Sequence, residues 1–123
     1  MRLGKILLIG TDEQRLRERL DQLQTLGLDA EFATSEHLIS ERLSNELFEL
    51  AIVYEPISEV SKTAMVRRAR QIAPTMPILL VADDLVSTEA PVDATMIDTG
   101  SPSNLLNVIR FLVLARNTER LAQ

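Results

Sequence analysis

Leu50-Ala51-Ile52-Val53-Tyr54 decides the fold: it is a continuous apolar run, rich in branched residues and too short for a buried helix. Such a run is a strand covered on both faces, as in a parallel sheet, because a strand with one wet face alternates. Two more runs of the same kind, Ile6-Leu7-Leu8-Ile9 and Ile78-Leu79-Leu80-Val81-Ala82, stand before and after it. Leu28 to Ala33 instead alternates, with Leu28, Ala30 and Phe32 on one face and Asp29 and Glu31 on the other. Ala94 to Asp98 is short and partly polar, and both of these weaker runs suit the edges of the sheet.

Helical patterns separate the runs. Thr11-x-x-Gln14 or Asp12 can cap a helix bearing Leu16, Leu20 and Leu23, which Gly27 ends. Ser35 precedes Ile39, Leu43 and Leu47, and Ser58 or Ser61 starts a helix with Met65, Ala69 and Ile72 that Pro74 and Pro77 terminate. Ser101-Pro102 places a cap and a proline at the start of a last helix, expected from about Pro102 to about Leu121. Between the last two strands, Asp84 to Asp93 offers one poorly amphipathic turn and contains Pro91, so the helix due there is short or missing. Five strands alternating with four or five helices make one doubly wound α/β domain over residues 1–123. With right-handed crossovers, the flavodoxin-like order 2-1-3-4-5 is the simplest solution. Its functional surface lies at the C-terminal strand ends: Gly10-Thr11-Asp12, Tyr54-Glu55-Pro56, Ala82-Asp83-Asp84 and Asp98-Thr99-Gly100.

Composition narrows the chemistry. With no cysteine there is no disulfide framework, thiolate zinc site, iron–sulfur cluster or cysteine nucleophile, and a single histidine, His37, makes a poor basis for a catalytic triad or a zinc enzyme. A net charge of −5, no tryptophan, one tyrosine and three phenylalanines oppose nucleic-acid binding. No apolar run approaches the roughly 18 residues of a membrane span. Met1-Arg2-Leu3-Gly4-Lys5 leads into a short apolar run without a cleavage site behind it. A cytoplasmic domain is expected.

The order of elements, with Lys5-Ile6-Leu7-Leu8-Ile9, Phe48-Glu49-Leu50-Ala51-Ile52-Val53, Met76-Pro77-Ile78-Leu79-Leu80-Val81 and Ser101-Pro102-Ser103-Asn104-Leu105-Leu106, resembles a response-regulator receiver domain over nearly the whole chain. In that family two acidic residues after the first strand and an acceptor aspartate after the third bind Mg²⁺. A Ser or Thr after the fourth strand and a Lys after the fifth then hold the aspartyl phosphate. On this chain the acidic pair falls on Gly10 and Thr11, the acceptor on Tyr54 or, one residue on, Glu55, the hydroxyl on Ala82 and the lysine on Asp98. The resemblance therefore implies a degenerate member, a pseudo-receiver that signals by protein contacts without a metal, a cofactor or phosphotransfer. It also implies the regulatory N-terminal domain of a larger signalling protein, or a stand-alone partner of one.

Two other functions remain open on the same scaffold: a receiver phosphorylated at an unorthodox carboxylate, Glu55 or Asp83, and a small-molecule sensor over Gly10, Tyr54 and Ala82. Glu55 could mimic a phosphorylated acceptor, but the expected state is a solvated carboxylate at a strand end. Asp12, Glu55, Asp83 and Asp98 could form an acidic metal site, against the simpler reading of caps and loop residues. Arg67, Arg68 and Arg70 could form an anion-binding patch or merely a solvated face, and His37 should face solvent. In the last helix, Leu105, Leu106, Ile109, Leu112 and Val113 form the stripe that faces the sheet. Val108, Phe111 and Ala115 widen that arc beyond one packing face, and a homodimer through this helix, or a downstream coiled coil, is expected to cover them.

Overall fold

A computed structural model describes residues 4–84 and 88–122, with side chains described through Arg116. In chain order the elements are β1 (Ile6–Ile9), α1 (Glu13–Thr25), β2 (Ala30–Ala33), α2 (Glu36–Asn45), β3 (Leu50–Tyr54), α3 (Glu59–Ile72), β4 (Ile78–Ala82), β5 (Ala94–Ile97) and α4 (Pro102–Ala122). The five strands form one parallel sheet in the order β2-β1-β3-β4-β5. The three continuous runs take the three central places, because only there are both faces dry.

Strand alternation divides the core into two layers. Leu7, Ile9, Ala51, Val53, Ile78 and Leu80 pack against Ile39 of α2 and Met65, Val66 and Ala69 of α3. Ile6, Leu8, Leu50, Ile52, Leu79 and Val81 pack against Leu16 and Leu23 of α1 and Ile109 and Val113 of α4. The sheet is therefore covered by α1 and α4 on one face and by α2 and α3 on the other.

The helix boundaries follow local chemistry with three adjustments. Asp12, not Thr11, caps α1 by accepting from the Arg15 amide, and Ser35 and Ser58 cap α2 and α3 in the same way. Leu47, placed by its spacing on the second helix, lies beyond its end at Asn45 and is 95% exposed. Ser101, expected to cap α4 with its side chain, contributes only its carbonyl, which accepts from the Leu105 amide.

Among the described residues between β4 and β5 there is no helix; residues 85–87, part of the weak turn noted in the sequence, lie outside the description. An extended strap takes the helix's place. Glu59, at the start of α3, accepts from the Thr88 hydroxyl and the Glu89 amide. Three turns further along α3, Arg70 donates to the Pro91 and Met76 carbonyls and to Asp93. Between these two ties Ala90 and Val92 close the α2/α3 layer of the core. Arg70 is thus structural, which removes it from the basic patch considered above. Of its neighbours, Arg68 approaches Glu36 at 3.8 Å, and Arg67 is exposed.

Candidate functional site

In an open parallel sheet the ligand crevice lies beyond the carboxyl ends of the strands. The registers Ile9 with Val53, Tyr54 with Val81 and Ala82 with Ile97 bring the ends of β1, β3, β4 and β5 to one edge of the domain. Gly10 is buried there against Leu16, whose Cδ2 would lie 3.2 Å from a Cβ at this position. Thr11 is exposed, and Ala82 is buried in the sheet without an oxygen to offer. The recess above Gly10, walled also by Asp12, Arg15, Tyr54, Glu55 and Pro56, measures about 10 Å³, room for no more than a water molecule.

Glu55 is not a solvated strand-end carboxylate, which corrects the expectation. It is 15% exposed, its Oε1 lies 2.5 Å from Lys62 Nζ, and its other oxygen accepts from the Ile57 amide at 2.9 Å. Lys62 is 3% exposed and also contacts Glu59 at 3.0 Å. A carboxylate leaving β3 on the α2/α3 side meets the first turn of α3, and there the lysine is held. Burial of Lys62 opposes its charge, but the bonds to Glu55 and Glu59 outweigh that and raise its pKa above the ordinary value. Glu59, bonded by the Glu89 amide, Lys62 and the Thr88 hydroxyl, is lowered to about 2. One buried ammonium thus joins the end of β3 to the strap. Lys62 escaped the reading of the sequence, although a signal exists: with Met65, Val66 and Ala69 it occupies the i, i+3, i+4, i+7 positions of the buried face.

Tyr54 turns the other way, into the α1/α4 layer. It is 6% exposed, and no described residue gives its hydroxyl a hydrogen bond. Burial raises its pKa; Arg19 pulls in the opposite direction and Asp98 adds to the rise. The Arg19 guanidinium stands 5.5 Å above the tyrosine ring, and its Nη2 is 2.5 Å from Asp98 Oδ2. Asp98 is therefore paired inside the chain, by a residue that no spacing in the sequence connects with it. Arg19, Tyr54, Asp98 and the start of α4 line a small open recess of about 30 Å³.

The four carboxylates that could have shared a metal are distributed among four different donors: the Arg15 amide for Asp12, Lys62 for Glu55, the Arg15 guanidinium at 3.8 Å for Asp83, and Arg19 for Asp98. Among the described residues no group of three or more histidine or acidic side chains could hold an ion. His37 faces solvent, with Glu41 at 4.0 Å. No helix among the described residues is long and apolar enough to cross a membrane.

On α4, Ile109 and Val113 are buried and Leu105, Leu106 and Leu112 half-buried, as the stripe requires. Val108 packs against the same layer, and Ala115 lines a recess with Thr75, Pro77 and Asp93. Phe111 remains 69% exposed, and Leu114, three residues on, is 53% exposed. Once Ile109 and Val113 face the sheet, residues 108 and 115 fall on one flank, 114 on the other, and 111 directly opposite the sheet.

No family model matches the chain, and no curated protein matches it. Solved structures do. A CheY-like response regulator receiver domain protein from Methanospirillum hungatei JF-1 superposes with a TM-score of 0.78 at 23% identity, covering 95% of this chain and 98% of that one. The signal receiver domain of an HD domain-containing protein from Pseudomonas fluorescens Pf-5 gives 0.78 at 18% identity, covering 100% and 96%. The Vibrio cholerae chemotaxis protein CheY4 gives 0.74 at 16% identity, covering 89% and 98%. Likeness at these identities establishes the fold: the chain has the five-stranded parallel architecture of receiver domains, with a strap where the helix between β4 and β5 would stand.

Proposed function

We propose that this domain is a pseudo-receiver, a signalling module that acts by contact with a protein partner or an attached output domain and does not transfer a phosphoryl group. The observation that carries this reading is the state of the acceptor position. Tyr54 there is buried and cannot present a carboxylate, and the adjoining Glu55 is already bonded to Lys62. The neighbouring positions agree with it: Gly10 and Thr11 offer no carboxylate, Ala82 no hydroxyl, and Asp98 is paired with Arg19 where a cation would have to hold the phosphate. In this reading the chain is the cytoplasmic regulatory domain of a larger signalling protein, and it associates with a second copy through α4.

Amide spectra of the labelled chain, recorded with Mg²⁺ and then with beryllium fluoride, should remain unchanged. Saturable shifts around Tyr54, Glu55 and Ala82 would show that the pocket still takes a metal and a phosphoryl mimic, and would overturn the reading.

A further inference from the structure

The side of α4 turned away from the sheet has a period of its own. Asn104, Asn107, Phe111 and Leu114 are all exposed, and they follow one another at intervals of three, four and three residues. The backbone of α4 runs on to Ala122, and in the sequence the same alternation continues with Thr118 and Leu121. A mean spacing of 3.5 residues is the a/d period of a two-stranded coiled coil, which keeps one line of a helix against a second helix along its length. The residues that tie α4 to its own domain occupy other places in that heptad. Leu105, Ile109, Leu112 and Val113 pack towards the sheet, and Arg116 donates to the Phe48 and Glu49 carbonyls, so none of them is needed on the outer line. The positions beside the line are also suited to a close neighbour. Val108 and Ala115 stand on one side of it, and Arg110 is the one charged residue on the other among the described residues. In a parallel pair Arg110 would lie beside Ala115 of the second copy, and no like charges would face each other across the contact.

The direction of pairing follows from how the line is divided. Its first half is polar, with Asn104 and Asn107, and its second half is apolar, with Phe111 and Leu114. Parallel, in-register helices set asparagine against asparagine, phenylalanine against phenylalanine and leucine against leucine. Antiparallel helices centred on the apolar pair would bring Asn104 to the level of Leu121 and bury an amide against an apolar side chain, which is unfavourable. We propose that α4 of a second copy covers this face as a parallel, in-register pair, with Asn104, Asn107, Phe111 and Leu114 as successive layers. The inference rests on the association through α4 proposed above and gives it an orientation: the two domains stand side by side, with the starts of their α4 helices together. The asparagine layers specify register and direction and lower the affinity.

The chain has no cysteine, so one introduced thiol reports the geometry without interference. Asn107→Cys should give a disulfide-linked dimer on mild oxidation, because the residue meets its own copy. Antiparallel helices would hold the two positions about 16 Å apart along the axis, beyond the reach of a disulfide. Glu18→Cys, exposed on α1, should stay unlinked under the same conditions. Asn107→Leu, which leaves the sheet-facing side of α4 untouched, should tighten the dimer by about tenfold in a sedimentation dilution series. A wild-type dimer whose Asn107→Cys variant does not crosslink overturns the parallel pairing alone, as does an Asn107→Leu variant with an unchanged Kd. A wild-type chain that stays monomeric at high concentration overturns the pairing together with the association it rests on. The beryllium fluoride titration bears separately on the pseudo-receiver.

Discussion

Lys62 Nζ lies 2.5 Å from Glu55 Oε1 and 3.0 Å from Glu59 Oε2, so one ammonium on α3 bridges a carboxylate at the end of β3 and the carboxylate that holds the strap. A charge so deeply buried persists only because it is paired on both sides.

Breaking this bridge from the lysine side should be costly. Lys62→Met leaves Glu55 largely buried without its cation and should lower the unfolding free energy by about 3 kcal/mol. Removing both charges, in Lys62→Met/Glu55→Gln, should recover much of the loss. Urea unfolding of the two single variants and the double variant measures the coupling, and simple additivity would contradict the bridge.

The strap should loosen in acid and in alkali for different reasons. Glu59 is held at about 2, below its ordinary 4.5, so its contribution is present above pH 4.5 and is lost as pH falls through about 2. Lys62 is raised above 10.5, so its contribution is complete below pH 10.5 and is lost as pH rises through its folded value. Glu59→Gln should flatten the acid limb of the stability profile and leave the alkaline limb in place. Arg70→Ala, which removes the second tie, should raise hydrogen exchange at Glu89 to Asp93 more than in β3.

Tyr54 is the only tyrosine, so its ionisation can be read directly by ultraviolet absorbance. Burial lifts its pKa above the ordinary 10.0, so the unfolded chain loses this proton first and stability falls as pH rises above 10.0. Absorbance should show ionisation only together with unfolding. Tyr54→Phe should be neutral or should stabilise by about 1 kcal/mol, since it deletes a buried hydroxyl that no described residue bonds.

Association through α4 should depend on its solvent face. Light scattering should show a dimer that Phe111→Glu converts to a monomer, with Leu114→Glu acting in the same sense. Ala115→Ser, on the flank, should leave the dimer intact. A wild-type monomer at high concentration would remove this association.

Much of the architecture was legible because it is written in local chemistry. Continuous apolar runs marked β1, β3 and β4 as central, Asp12, Ser35 and Ser58 marked helix starts, and Pro91 in a poorly amphipathic stretch marked the segment whose described residues form no helix. Phe111 was singled out as surplus and stands exposed, whereas Val108 and Ala115 could be assigned to a flank only after Ile109 and Val113 had fixed the rotation of α4.

The sequence alone determined which side chains stand at the strand ends: Gly10 and Thr11, Tyr54 and Glu55, Ala82, and Asp98, and reading them requires only their identity and order. Tertiary structure decided what these residues do. Glu55 is bonded rather than solvated because the crossover from β3 brings Lys62 of α3 over the strand end. Asp98 is ion-paired because parallel strand order places the end of β5 beside Arg19 of α1. Both pairings join residues whose separation along the chain carries no period, so they become visible only when the sheet has brought the strand ends to one edge.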